Sequence, residues 1–151
     1  MNRENRAYWW RAIGLWFVLM AAETLNGLWR AKVLALWIGD AAARDVSVLT
    51  GSIVILLMTF ACIGWIPAHS IRTLLVIGMS WVLLTIAYEF ALGYLAFHRP
   101  LGEIASDFDL WHGRLLPIGL LVLLFAPLLA ARVLNASSWE RLLPAASAAT
   151  A

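Results

Sequence analysis

Four apolar stretches, each close to the length of a bilayer-spanning helix, constrain this chain more than anything else in it. They run over about 12–29, 46–66, 73–96 and 115–133. A helix rises 1.5 Å per residue, so about 20 predominantly apolar residues cross roughly 30 Å of hydrocarbon. Lipid tails offer backbone amides no partners, and a spanning segment of this length satisfies its own as a helix. Composition agrees. The 151 residues are 63% hydrophobic and 13% charged, too few polar side chains to cover a water-soluble globule, which carries about a quarter charged residues. The expected fold is all-α: an integral membrane four-helix bundle, with a short interfacial amphipathic helix between spans three and four. The bundle forms a single domain over 1–135, followed by a tail over 136–151. In that tail Ser137-Ser138-Trp139-Glu140 has the capping-box pattern for one short helix. Pro144 ends it, and the Ala/Ser/Thr finish is expected to be disordered.

The connections carry their own signals. Arg3, Arg6 and Arg11 precede the first span, with Tyr8, Trp9 and Trp10 at headgroup level. Glu23 interrupts the apolar region and no small-residue cleavage site follows, which predicts an uncleaved anchor. After Arg30, Val33 to Ile38 is too short to cross and is expected in the interface. Gly39-Asp40 then makes a turn, with Asp40 as helix N-cap. Pro67 opens a tight connection through His69, predicting an antiparallel hairpin of spans two and three. Between Arg99 and Arg114, the apolar Leu101, Ile104, Phe108 and Trp111 recur at helical spacing. Pro100 suits a first helical position and Gly113 a stop. Pro127 is expected to kink span four.

The basic residues set an orientation. With both termini inside, six arginines lie on the cytoplasmic side, and Arg30, Lys32, Arg44, Arg99 and Arg114 lie opposite. The three ahead of the first span tip the balance, since the first helix usually dominates.

The functional signal is a polar layer. Glu23, Asn26, Gly27 and Arg30 fall within roughly a 100° sector of one helix face. Glu23 sits roughly 18 Å above Arg11, and Glu89 roughly 25 Å above Arg72. Thr50, Ser52 and Gly119 belong to the same outer half. The inner half holds only Thr59, Cys62 and Ser80, with no ionisable group. Charged groups on spanning helices usually turn toward other helices or a water-filled cavity. Arg30 and Arg114 lie at the outer rim, where Glu89–Arg30 or Glu23–Arg114 pairs would lower the cost of burial. The candidate ligand or proton site is therefore Glu23, Asn26, Arg30, Glu89 and Arg114. The same contacts would also serve simply to fix helix register. Gly27, Gly78, Ala91 and Gly93 permit close helix approach.

Other chemistry is poorly represented. Cys62 is the single cysteine, which excludes the quinone-linked thiol oxidoreductases that share a four-helix plan but need cysteine pairs. A net charge of +2, scattered along the chain, argues against nucleic-acid binding. No histidine sits mid-span to ligate haem, and no cofactor is expected. Asp109 and His112 share a face at i, i+3 and are the weak metal candidates, read first as solvated interfacial residues. Ser–His–Asp sets and phosphate loops are absent from the sequence. Trp16 and Trp81 lie within spans and read as packing, while the boundary tryptophans read as a belt.

With ETLNGLWR at 23–30, YEFALG at 88–93, DFDLWHG at 107–113 and AP at 126–127, the chain resembles a widespread family of small, uncharacterised bacterial four-helix inner-membrane proteins. The likeness covers about Trp10 to Arg132. It implies a bacterial inner-membrane location and no established activity, and it carries over no catalytic residues. The expected role is a non-enzymatic accessory or scaffold subunit, in contact with membrane lipids and with another membrane protein or a second copy of itself. The alternatives are a small proton-linked or solute transporter using Glu23 and Glu89, and an outer-leaflet protein binding a lipid or hydrophobic ligand.

Overall fold

The computed structural model describes residues 3–66, 70–96 and 98–148, with side chains from 9 to 134 within those ranges. The Pro67–His69 connection, and with it His69, lies outside the described residues. Helix α1 spans Arg3–Trp29, passes through a π-turn at Arg30–Leu34 and continues as α2, Ala35–Ile38. Helix α3 is Asp40–Cys62, closed by a 3₁₀ turn at Ile63–Trp65, and α4 is Ile71–Ala91, prolonged by a π-turn at Leu92–Ala96. The short α5 is Leu101–Ser106, a 3₁₀ turn covers Leu110–His112, and α6 is Leu116–Ala148. Strands are absent among the described residues.

Four helical runs are long and apolar enough to cross a membrane: Trp9–Ile38, Asp40–Trp65, Ile71–Ala96 and Leu116–Leu134. The protein is thus an all-α, multi-pass membrane bundle. Helix α1 packs on α3 and α4, and α6 packs on the same two, so α1 and α6 lie across the bundle from each other. The expected hairpin of spans two and three is therefore not a packed pair: α3 and α4 are joined in sequence but lean mainly on α1 and α6. Small residues explain the choice. Gly78 on α4 lies against the backbone carbonyl of Leu124 on α6, and Gly51 on α3 lies against the Glu23 carboxylate on α1. A side chain at either position would hold the helices apart.

Several sequence expectations change at the ends of helices. The segment after Arg30 does not leave the first span, because the π-turn lets Val33 to Ile38 carry α1 onward. Gly39, at φ 80° and ψ 160°, breaks the run in a conformation that favours glycine. It occupies the N-cap of α3, so Asp40 is not the cap but the first helical residue, where its charge complements the helix N-terminus. Pro100 likewise sits at the N-cap of α5 and not at its first position. The amphipathic segment splits, since the Asp109 side chain accepts from the Trp111 amide and starts a new turn. Gly113, at φ 76°, ends that turn as expected. At the other terminus α6 passes Asn135 and Pro144 without the predicted break and capped restart. The alanine and leucine around those positions are strong helix formers, so local propensity carries the helix on.

The core fills one end of the bundle. Trp81, Leu19, Ile77 and Leu123 are almost fully buried, with Trp16, Leu15, Ile55 and Ala126 around them. Two indoles cross-link α1 and α4: Trp16 Nε1 donates to Thr85 Oγ1 at 3.0 Å, and Trp81 Nε1 donates to the Ala12 carbonyl at 2.9 Å. Both tryptophans are packing residues, as the sequence predicts, while Trp10, Trp37, Trp65 and Trp111 are exposed.

Candidate functional site

Above this plug, toward the end that carries Gly39, α5 and Arg114, the four helices line a half-open cavity of about 910 Å³. Met20, Ile55, Thr85 and Leu123 form its floor, where it meets the packed core. All five candidate residues, Glu23, Asn26, Arg30, Glu89 and Arg114, line it. Periodicity explains why: Glu23, Asn26 and Arg30 share one face of α1, and the π-turn begins at Arg30 without rotating that side chain off the wall.

Asn26 is the best-anchored member. Its Nδ2 donates to the Ser47 carbonyl at 3.0 Å and reaches Glu23 Oε2 at 3.5 Å, while Thr50 Oγ1 donates to its Oδ1 at 3.2 Å. Asparagine thus ties α1 to α3 and steadies one oxygen of Glu23. The other oxygen, Oε1, is sealed from solvent and has no hydrogen-bond partner among the described residues. Such an orphan in a native site calls for an explanation, since a buried unsatisfied group costs about 1–3 kcal/mol and more when charged.

The pairings expected across helices do not form. Neither Glu89–Arg30 nor Glu23–Arg114 appears among the ion pairs of the described residues. Arg99 takes the acids near it instead, with Nη2 at 2.9 Å from Asp107 Oδ2 and Nε at 3.0 Å from Glu103 Oε1. Those two carboxylates hold the Arg99 guanidinium above its ordinary range, outweighing its partial desolvation. Arg44 approaches Asp107 at 3.8 Å from α3. The connection residues therefore neutralise one another first, because they are close in sequence and need little ordering to meet. Arg30, Arg114 and Glu89 are left with no side-chain hydrogen bond or ion pair among the described residues.

His112 also lines the cavity, paired with Asp109. His112 Nδ1 lies 2.6 Å from Asp109 Oδ2, and that bond holds the exposed Asp109 carboxyl below the usual aspartate value. The pair caps a turn. Among the described residues no group of three histidine, cysteine or acidic side chains is placed to hold a metal.

Residues the sequence reading did not single out complete the cavity. Thr24 and Tyr88 bond at 2.9 Å across α1 and α4, and Arg99, Asp107 and Arg44 form its rim. Arg99 and Glu103 stand at i, i+4, and the fold brings Asp107 to Arg99 and Arg44 to Asp107. Phe108 stacks on Phe90 at 5.8 Å, and Ile104 is buried against Gly93, which seats α5 on the end of α4. Searches against family models, curated proteins and solved structures return no match to the chain.

Proposed function

We propose that this membrane protein is a non-enzymatic accessory protein of the bacterial inner membrane that holds a small amphipathic molecule in its cavity. The three arginines ahead of the first span favour both termini in the cytoplasm, an orientation in which the cavity opens toward the periplasm. One observation carries the reading: a cavity of about 910 Å³ with an apolar floor, in whose wall Glu89, Arg30 and Arg114 make no ion pair among the described residues. Ligand sites usually measure about 300–1,000 Å³, with apolar walls and a few convergent polar groups. A fold held together by its polar contacts alone would pair those charges and close the space. Register is maintained elsewhere, by Asn26, the two indoles and the glycine contacts.

The test is the content of the purified protein. Full-length protein extracted in mild detergent is expected to carry a stoichiometric amphiphile detectable by native mass spectrometry. The Arg30→Ala/Arg114→Ala double variant loses it at least tenfold while keeping its helical circular dichroism. Re-addition at a hundred times Kd stabilises the wild type by about 2.7 kcal/mol. A wild type that neither retains nor is stabilised by any amphiphile overturns the proposal.

A proton-linked carrier is the second reading, favoured by two carboxylates from different helices facing one space. It demands that the Trp16–Thr85 and Trp81–Ala12 bonds open during each cycle, since the opposite half is packed shut. Under that reading Glu23→Gln abolishes transport in proteoliposomes, and under the binding reading there is no transport to abolish.

A further inference from the structure

We infer that the cavity has a second entrance inside the membrane: a seam between the first span and α4, above the Thr24–Tyr88 bond, through which one acyl chain of a membrane lipid enters. This rests on the binding reading above and makes the bound amphiphile a lipid drawn from the bilayer.

Helix packing closes three sides of the cavity. The first span, with its π-turn and α2, lies along α3, α3 lies along α6, and α6 lies along α4. The fourth side, α1 against α4, has little direct packing and is held by side chains. Trp81 reaches the Ala12 carbonyl, Trp16 reaches Thr85, and Thr24 and Tyr88 bond at 2.9 Å. These ties climb the seam and stop at Tyr88. Beyond it no hydrogen bond or ion pair joins the first span to α4 among the described residues. There the cavity is lined by Leu28 and Ala31 on one side and by Leu92, one turn above Tyr88, on the other.

At 100° per residue, Leu28 falls between Thr24, which meets Tyr88, and Leu25, which is 66% exposed. Asn26, whose side chain bonds α3, is about 160° away from it. Leu28 therefore meets the cavity from the α4 side and the outside of the bundle with the same side chain, and it is itself 46% exposed. Exposure divides the cavity wall into two openings. Asp40, Arg44, Asp45 and His112 are exposed at the end of the bundle and form a polar mouth. Leu28 and Ala31 are exposed on the flank and are apolar. On α6 the lining residues Leu116, Gly119, Leu120 and Leu123 are all at least partly covered.

Depth and polarity name the occupant. Leu28, Ala31 and Leu92 lie within two of the runs long and apolar enough to cross a membrane, Trp9–Ile38 and Ile71–Ala96. A slot of that depth and composition faces lipid tails and offers water no polar partners. The floor below it, Met20, Ile55 and Leu123, is apolar as well, so a hydrocarbon chain finds apolar contact along its whole path. Its headgroup stays at the mouth, where the rim carries both signs of charge. A wholly polar solute would use the mouth alone and gain nothing from the seam.

The experiment reconstitutes full-length protein in phosphatidylethanolamine–phosphatidylglycerol vesicles containing a phosphatidylethanolamine with a diazirine near the end of one acyl chain. After illumination, tandem mass spectrometry maps the cross-links to residues. Leu25 and Leu49 face outward and are labelled in any case. Ile55 and Leu123 are buried and line the cavity, so a chain reaches them only from within it. Their labelling is expected in the wild type and falls at least tenfold in Ala31→Trp, which fills the seam, with Leu25 and Leu49 unchanged. If Ala31→Trp loses its helical circular dichroism, Leu28→Trp decides in its place, since that side chain is already half-exposed. Interior labelling that the folded variant leaves unchanged overturns the seam and assigns entry to the mouth. A wild type labelled only on its outward face overturns the lipid assignment. Retention of an amphiphile by the same protein in mild detergent then leaves the binding reading standing, and its absence overturns both.

Discussion

Gly78→Ala is expected to destabilise the bundle by about 3 kcal/mol, at the upper end of the usual cost of overpacking. The new methyl has nowhere to go. It meets the Leu124 carbonyl, carbonyl carbon and Cα of α6, which are backbone atoms and cannot rotate aside. Relief requires α4 and α6 to separate, and they share one of the main interfaces of the fold. Thermal unfolding followed by circular dichroism in detergent measures the effect. Gly14→Ala is the control, since a Cβ there meets nothing within 4 Å, and helix propensity alone predicts a gain of up to about 1 kcal/mol. Similar melting of both variants would show that α4 and α6 do not approach as closely as described.

Trp81→Ala is expected to cost about 3–5 kcal/mol, the range for removing a large aromatic from a packed interior. Trp81 has no exposed surface, and its neighbours Leu19, Ile77 and Leu123 are themselves sealed. The indole also gives α4 its bond to the Ala12 carbonyl of α1. Trp81→Phe keeps most of the ring volume and loses that bond, so its separate cost is about 1 kcal/mol plus a small cavity. The same melts check both. A Trp81→Ala protein as stable as the wild type would mean that the core does not hold the bundle.

Three kinds of information were legible in the chain to different depths. Hydrophobic length and helical period were enough for four spans and for the single face holding Glu23, Asn26 and Arg30, because both depend on residues near one another in sequence. The gathering of Glu89 and Arg114 onto that face was legible only as a shared depth, and the cavity they line was not legible at all. Volume depends on how four surfaces fail to meet. The pairing of charges was legible only in part: Glu89 and Arg30 share a depth and a cavity but form no ion pair among the described residues, while Arg99 and Asp107 are brought together by a short connection. Neighbour choice among helices was also hidden. Gly78 was visible as a small residue, but only the fold places it against Leu124 of α6. The extension of α1 to Ile38 was missed because a π-turn has no compositional mark, and Val33 to Ile38 looked too short to belong to a span.

Gly39 is the whole of the link between α2 and α3. A hinge one residue long yokes those two staves of the barrel, and neither can swing without dragging the other. Elsewhere, Ile104 is buried on α5, while the segment after α5 is tied by the Phe90–Phe108 stack and, from α3, by the Arg44–Asp107 ion pair at 3.8 Å. A contact of that kind is partly wetted and weakens as dissolved ions crowd in, so the tie between α3 and the segment after α5 slackens as the salinity around it rises.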